Sequence, residues 1–187
     1  GIRDAQESRG LGDVYKRQAV ILRDKKNIKW IIVGDGRRFA WLQSEVKRLK
    51  LQENFLLLGR FPLERMPSFF AHADVLLVSL KKDPVFSMTI PAKLQTYLMT
   101  GIPILGMLDG EGAKIIEESG AGLCCGASDS IGLAAAVKKM SKFTTQKNTM
   151  LGQNAIQFSK KEFDRTMLMD RLENFFITAV QQHSNNL

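Results

Sequence analysis

The sequence has few of the residues that cross-link a fold, bind a metal or span a membrane. Its 187 residues include two cysteines and two histidines. The cysteines are adjacent, at Cys124 and Cys125. Neighbouring thiols neither close a loop nor present metal-ligand spacing, so a reducing compartment is expected. Apolar runs such as residues 55–58 have the length of a strand and fall far short of the roughly 20 residues of a membrane-spanning helix.

Negative charge is scarce relative to positive charge. Lys and Arg number 27 against 19 Asp and Glu, which gives a net charge of +8 at pH 7. An excess of this kind favours anionic partners, which include nucleotides, nucleic acid and an anionic membrane surface. Hydrophobic residues make up 44% and charged residues 25% of the chain. These values exclude disordered, collagen-like and coiled-coil classes and indicate one ordinary domain.

Residues 1–18 are expected to be a non-native or disordered arm outside the folded domain. They carry no apolar period and lack the apolar stretch of a signal peptide. Residues 13–18, DVYKRQ, resemble the in-frame translation of a transposon end used to build sequencing libraries, and a native arm is the alternative. The chain also begins with Gly1 rather than Met, so we expect it to be a piece of a longer protein.

After the arm, strand-like apolar runs alternate with segments of helical period. Strands are predicted at 28–33, 55–58, 74–80, 102–107 and 122–125. Helices are predicted at 19–26 (the end of one), 37–50, 63–73, 91–100, 111–119, 130–141, 145–160 and 162–181. This alternation predicts an α/β fold with one doubly wound, Rossmann-like parallel sheet over residues 19–182, followed by a tail at 183–187.

Ligands of such sheets bind beyond the carboxyl ends of the strands, so four loops are candidates: 34–38, 59–62, 80–90 and 108–112. In the first, Gly34 and Gly36 open a helix, where backbone can approach an anion. Phe39 stands where the dinucleotide fingerprint needs a third glycine or alanine, which disfavours NAD. In the second, Gly59 and Arg60 suit a base or phosphate pocket. Plain turns are the alternative for both loops.

The third loop leads into a helix that suits a phosphate. Ser87 and Thr89 are hydroxyl residues just before this helix, where N-caps sit. Lys93 falls in its first turn, where a cation opposes the helix dipole unless an anion binds there. Thr96 lies on the same helical face as Lys93. The alternative is an ordinary capped helix with a solvated lysine.

The fourth loop combines two acids with glycines. Asp109, Gly110 and Glu111 at a strand end suit contacts to sugar hydroxyls, and a turn that caps the next helix is the alternative. The sequence contains no Ser-His-Asp set, no metal-ligand cluster and no Walker loop. The catalytic residues therefore stay unassigned, and neither a metal nor a cofactor is expected.

Taken in order, these segments resemble the C-terminal half of a family 4 glycosyltransferase of the GT-B fold. The resemblance covers about residues 19–182 and rests on these motifs: IIVGDG at 31–36, FLLLGR at 55–60, ADVLLV at 73–78, PAKLQTYL at 91–98 and GIPI at 101–104. The helix at 91–98 and the LDGEG loop at 108–112 are similar to a subgroup that includes O-antigen fucosamine transferases.

This resemblance implies a UDP- or GDP-sugar donor, with its base near Gly59 and Arg60 and its diphosphate against Ser87, Thr89 and Lys93. No metal is obligatory, since cations and helix ends stabilise a leaving diphosphate. It further implies transfer of a hexosyl or N-acetylhexosaminyl group to a lipid-diphosphate-linked saccharide in lipopolysaccharide biosynthesis, with the retention of anomeric configuration that is usual in the family. The enzyme would be cytoplasmic, with peripheral contact at the inner face of the bacterial plasma membrane.

Two departures qualify the resemblance. Family 4 enzymes carry two glutamates eight positions apart, and the matching positions here are Met88 and Thr96. The ribose contact is therefore left to Asp109 or Glu111. The acceptor-binding N-terminal Rossmann domain would precede residue 19, and the helix near 163–176 resembles the one that crosses towards it. Without that domain, we expect the chain to fold but not to catalyse.

Three other functions are weighed against this one. A GT-B sugar-nucleotide epimerase needs acids and histidines in its cleft, and the two histidines are His72 and His183. A non-catalytic nucleotide-sugar binding module is compatible with the missing glutamates. A nucleic-acid-binding protein is disfavoured, because the sequence has no aromatic–basic stripe or recognised nucleic-acid motif.

Overall fold

The computed structural model describes residues 27–184, with side chains to 182. The arm expected at 1–18 and the helix end expected at 19–26 lie outside the described residues, as does the tail at 183–187 apart from the helical backbone of its first two residues. Five strands are present in the described part: β1 (Trp30–Val33), β2 (Phe55–Gly59), β3 (Leu76–Ser79), β4 (Ile104–Met107) and β5 (Gly122–Cys125).

Eight α-helices lie between and after these strands within the described residues. They are α1 (Phe39–Arg48), α2 (Met66–Phe70), α3 (Pro84–Ser87), α4 (Ala92–Thr100), α5 (Glu111–Ser119), α6 (Ser130–Met140), α7 (Thr145–Glu162) and α8 (Arg165–Ser184), and a 3₁₀ turn (Leu63–Arg65) precedes α2. The predicted α/β fold class is confirmed. No helix in this part of the chain is both long and apolar enough to cross a membrane.

One short helix, α3, replaces part of the loop predicted at 80–90. The carboxylate of Asp83 accepts a hydrogen bond from the N–H of Val85 at 3.0 Å, which caps the helix. Pro84 follows as the first helical residue, where its missing N–H has no partner to lose. The Asp-Pro pair was therefore a readable start signal for this helix.

The strands pair in parallel but in two groups. β1 pairs with β2, with Trp30 opposite Phe55. β3, β4 and β5 pair in that order, with Ile104 opposite both Leu76 and Gly122. Within the described residues the expected single five-stranded layer is therefore wrong, because the backbone hydrogen bonds form two sheets. Side chains join them, since Trp30 packs against the core of each group.

Strand β4 lies at the centre of the larger sheet, and all four of its residues are buried. Helices α4, α5 and α7 cover one face with a cluster that includes Leu94, Leu98, Ile115, Ile116 and Ala155. Helix α6 covers the other face with Leu133, Ala134, Val137 and Met140. Burial of one such large aliphatic side chain contributes about 1.5–3 kcal/mol, so this two-sided cover explains the continuous apolar runs of the sequence.

Helices α4 and α7 approach each other closely through two glycines. Gly101 ends α4 in the left-handed conformation, at φ 71°. Gly152, in the middle of α7, lies against it, and a Cβ on Gly152 would stand 1.9 Å from the carbonyl oxygen of Gly101. A carbonyl fixed at a helix end cannot swing away, so this contact requires glycine.

Helix α8 carries many apolar side chains, but none of its described residues belongs to the hydrophobic clusters of the sheets. Its described side chains are exposed except for the half-buried Met167. Large apolar side chains that are at least 40% exposed lie along it: Leu168, Met169, Leu172, Phe175, Phe176, Ile177 and Val180. An apolar surface of this extent on one helix is typical of an interaction site.

We predict that Gly152→Ala lowers the free energy of unfolding by about 1–3 kcal/mol, because overpacking against backbone outweighs the roughly 1 kcal/mol gain in helix propensity. Urea unfolding followed by circular dichroism measures the change. Gly36→Ala is the control, since a Cβ at Gly36 meets nothing within 4 Å. An unchanged or higher urea midpoint for Gly152→Ala would contradict the close contact.

Candidate functional site

The carboxyl ends of β3 and β4 bring two predicted loops into contact. Gly110 has a φ of 71°, and a Cβ on it would lie 1.9 Å from the carbonyl oxygen of Ser87. A Cβ on Gly112 would lie 3.2 Å from Cδ of Pro91. The loop at 108–112 therefore packs directly on the segment that leads into α4.

The other two predicted loops meet at the ends of β1 and β2. The N–H of Gly34 donates to the carbonyl oxygen of Gly59 at 2.7 Å. Both glycines have positive φ values, 136° and 75°. A Cβ on either would meet nothing within 4 Å, as is also true of Gly36, so this turn is open. Arg60 follows it and is exposed.

The N-terminus of α4 carries no side-chain cap. Its N-cap residue is Pro91, and among the described residues no side chain caps the first turn. The alternative of an ordinary helix capped by Ser87 or Thr89 therefore does not hold. The Ser87 hydroxyl donates to the carbonyl oxygen of Asp83 at 3.2 Å, and the Thr89 hydroxyl donates to that of Phe86 at 3.1 Å, because Ser87 ends α3 and Thr89 follows it two residues later. The first turn of α4 thus presents backbone N–H groups without a side-chain acceptor.

The predicted polar face of α4 divides into outward and inward residues. Lys93 is exposed, and it has no ion-pair partner within residues 27–182. Thr96 is also exposed, and its hydroxyl donates to the carbonyl oxygen of Ala92 at 3.4 Å. Tyr97 instead packs edge-to-face on Phe70 with ring centroids 5.6 Å apart, and burial raises its pKa. Lys93 and Thr96 are therefore the members of this face that are exposed to solvent.

The two acids of the fourth loop have different surroundings. Oδ1 of Asp109 accepts a hydrogen bond from the N–H of Ala127 at 2.9 Å, so this carboxylate holds the loop after β5. Glu111 is exposed and pairs with Lys114, three residues on, at 2.6 Å. The assignment of a ribose contact to either acid stays a prediction.

The loop at 126–129 belongs to the same edge and was missed from the sequence. The backbone N–H of Lys82 donates to the hydroxyl of Ser128 at 3.3 Å, which joins this loop to the one after β3. Ser128 has a φ of 64°, a left-handed conformation that is uncommon for a residue other than glycine. This loop follows β5 directly, so the expectation that ligands bind beyond the carboxyl ends of the strands applies to it as well.

The cysteines and the described histidine have no place in a reactive cluster. Burial raises the pKa of Cys124 to about 12 and, with help from Asp129 and Asp109, that of Cys125 to about 11. Both thiols are therefore protonated at neutral pH. His72 lies before β3, at the opposite edge of the sheet, where its ring is 2.7 Å from the carbonyl oxygen of Ser68. Over the described residues no three His, Cys, Asp or Glu side chains are grouped to hold a metal ion.

The chain is similar in sequence to one protein family and to two curated proteins. The chain matches the sequence profile of the family described as Glycosyl transferases group 1 over residues 7–142. It is 22% identical over 158 residues to the N-acetyl-alpha-D-glucosaminyl L-malate synthase of Bacillus anthracis, which covers 84% of this chain and 39% of that protein. It is 30% identical over 121 residues to the probable glycosyltransferase WbjE of Pseudomonas aeruginosa, covering 62% and 29% respectively. The chain thus spans less than half the length of these relatives.

The fold is also that of a solved structure. The crystal structure of Anabaena Alr3699/HepE in complex with UDP superimposes with a TM-score of 0.71 at 17% identity, covering 88% of this chain and 46% of that one. Parallel sheets covered by helices match the fold of GT-B glycosyltransferases. Since the family profile extends over more than half of its residues, the chain belongs to the group 1 glycosyltransferase family.

The raised thiol pKa values predict a loss of stability in alkali. A thiol whose folded pKa is raised stabilises the fold fully below its unfolded pKa of about 8.5, and this contribution is lost as the pH rises towards the folded values of about 11 and 12. The free energy of unfolding should therefore fall more steeply between about pH 9 and pH 11 in the wild type than in a Cys124→Ala, Cys125→Ala double variant. Parallel pH profiles in urea titrations would contradict the burial of the thiols.

Proposed function

We propose that this chain is the donor-binding part of a glycosyltransferase. The enzyme transfers a sugar from a UDP- or GDP-sugar to a lipid-linked saccharide in cell-surface polysaccharide synthesis. Family membership supports the transferase class. The observation that carries the donor-binding role is the uncapped N-terminus of α4, which has the exposed Lys93 in its first turn and packs against the loop after β4.

In this proposal the diphosphate binds at the start of α4. Helix N-termini bind phosphate through backbone N–H groups and the positive end of the dipole. Lys93 adds a charge that is unfavourable beside that dipole in the absence of an anion and favourable in its presence. The hydroxyls of Ser87 and Thr89 line the approach, although their protons are donated to carbonyl oxygens of α3. The leaving diphosphate is thus stabilised by N–H groups and a cation, with no metal required.

The nucleoside is proposed to lie towards the open glycine turn. A Cβ on Gly34, Gly36 or Gly59 would meet nothing within 4 Å, and the exposed Arg60 follows this turn, so we place the base here. The complex of HepE with UDP supports a uridine donor. Of the two acids after β4, Glu111 is exposed and pairs within its own helix, so it is the one available to ribose hydroxyls.

The acceptor side of the reaction is proposed to lie on other parts of the protein. Helix α8 offers an exposed apolar surface on which an N-terminal Rossmann domain can pack. Because that domain would bind the acceptor, we expect the isolated chain to be inactive.

A basic patch of Lys138, Lys139 and Lys142 borders an open depression of about 500 Å³ beside Phe143. Lysines beside an aromatic side chain suit peripheral contact with anionic lipid at the cytoplasmic face of the membrane.

A non-catalytic nucleotide-sugar binding module is the second candidate. The positions at which the family's glutamates would fall hold Met88, which is 72% exposed, and Thr96, whose hydroxyl bonds to its own helix. Neither position supplies a carboxylate to the edge. Turnover of a nucleotide sugar by the full-length protein separates the two candidates.

We predict that Lys93→Ala weakens binding of UDP by about tenfold to a hundredfold, the effect of removing one charged hydrogen-bonding partner. Calorimetric titration of the chain with UDP, and with GDP in parallel, measures the dissociation constants. Lys147→Ala is the matched control, because Lys147 also lies in the first turn of a helix, but Thr144 caps that helix at 3.2 Å. Equal affinities for Lys93→Ala and wild type would remove the phosphate site from α4.

A further inference from the structure

Asp109 connects three loops at the edge where the donor is proposed to bind. We infer that Asp109 is a positioning residue that holds the start of α4 in place through the loop after β5, rather than a ligand of the donor. The inference rests on the proposed function, because it concerns the same edge, and it assigns the two acids of the fourth loop to different tasks.

The first contact is that of the carboxylate with the loop after β5. Oδ1 of Asp109 accepts the N–H of Ala127 at 2.9 Å, across eighteen positions of sequence. The neighbouring Gly126 is close as well, since a Cβ built on it would lie 3.6 Å from the same oxygen. Asp109 is only partly exposed, whereas Glu111 is exposed and bound to Lys114. The carboxylate of Asp109 therefore already has a partner within the fold.

The second set of contacts connects the loop that contains Asp109 to the start of α4. Gly110, the next residue, packs against the carbonyl oxygen of Ser87 without room for a side chain. A Cβ on Gly112 would lie 3.2 Å from Cδ of Pro91, which is the N-cap of α4, so Gly112 also lies against this segment. A shift of Asp109 is therefore transmitted to both the last residue of α3 and the first turn of α4.

The third contact joins the loop after β5 to the loop after β3. Ser128, one residue after Ala127, accepts the backbone N–H of Lys82 at 3.3 Å. The segment that carries the proposed phosphate site is thus fixed near its beginning by Ser128 and near its end by Gly110 and Gly112. Asp109 joins these two attachments through Ala127. Misplacement of a binding group by a fraction of an ångström is enough to weaken a site that depends on preformed geometry.

The test separates a hydrogen-bond acceptor from a charged ligand. Asp109→Ala removes the acceptor, whereas Asp109→Asn keeps an amide oxygen that accepts the Ala127 N–H and removes only the charge. Glu118→Gln is the control for loss of one acid on α5, since Glu118 is exposed. Each chain is labelled with ¹⁵N and titrated with UDP, and the hydrogen exchange of the Ala127 amide is measured in the same samples.

We expect Asp109→Ala to lose protection of the Ala127 amide, to shift the amide resonances of Ala92 and Lys93, and to weaken UDP binding about tenfold. In Asp109→Asn the UDP affinity should lie within about twofold of that of the wild type, and the Ala127 protection and the Ala92 and Lys93 resonances should match those of the wild type. Glu118→Gln should leave all three properties unchanged. If Asp109→Ala does not fold, Ser128→Ala takes its place and should shift the Ala92 and Lys93 resonances in the same way.

Two results would overturn the inference. Equal loss of UDP affinity in Asp109→Asn and Asp109→Ala would show that the charge itself contacts the donor. Unchanged Ala92 and Lys93 resonances in Asp109→Ala would show that no displacement reaches α4. If the wild-type chain binds neither UDP nor GDP, the proposed function fails. The resonances of Ala92 and Lys93 in the free chains then still decide whether Asp109 positions the helix.

Discussion

The parallel register of β3, β4 and β5 is the constraint on which the rest of the structure depends. Strand β4 is buried on both faces and is hydrogen-bonded to a neighbour on each side. Its neighbours end at the same level, so three loops leave the sheet side by side. The contact of Gly110 with Ser87, and that of Ser128 with Lys82, follow from this alignment. A site built from separate stretches of sequence is thereby held on a rigid sheet.

The start of α4 combines a missing cap with a nearby cation. Side-chain oxygens of Asp83, Asp129 and Thr144 cap α3, α6 and α7, whereas α4, like α1, α2 and α5, starts without a side-chain cap. A lysine in the first turn then adds positive charge to a helix end that already favours anions. The same region holds two thiols that burial keeps protonated. Positive charge and backbone N–H groups, rather than a nucleophile, are what this edge offers to a ligand.

The sequence predicted the elements well, because apolar runs and helical periods report burial directly. Strand β5 and helix α5 were placed with their observed bounds. Contacts between loops were less accessible. The capture of Ser87 and Thr89 by α3 depends on a one-turn helix started by Asp83, and short helices leave no periodic signal. The division into two sheets was also hidden, since residue patterns show that a strand is buried but not which strand lies beside it.

The candidate site was predicted as a set of four loops, and the structure brings these loops together in two pairs. One pair meets at Gly34 and Gly59, and the other at Gly110 and Ser87. The role of Asp109 could not be read from the chain, because its partner Ala127 is eighteen positions away and contributes only a backbone N–H. A side chain that bonds to distant backbone has no signature in the residue types.

The central claim is that a nucleotide diphosphate binds at the carboxyl edge of the sheets. The most direct measurement is a map of amide chemical-shift changes when the 187-residue chain is titrated with UDP. The account predicts that the largest changes fall on the open glycine turn, the first turn of α4 and the loop that contains Gly110. Changes centred instead on Lys138, Lys139 and Lys142, or spread evenly over the surface, would contradict it.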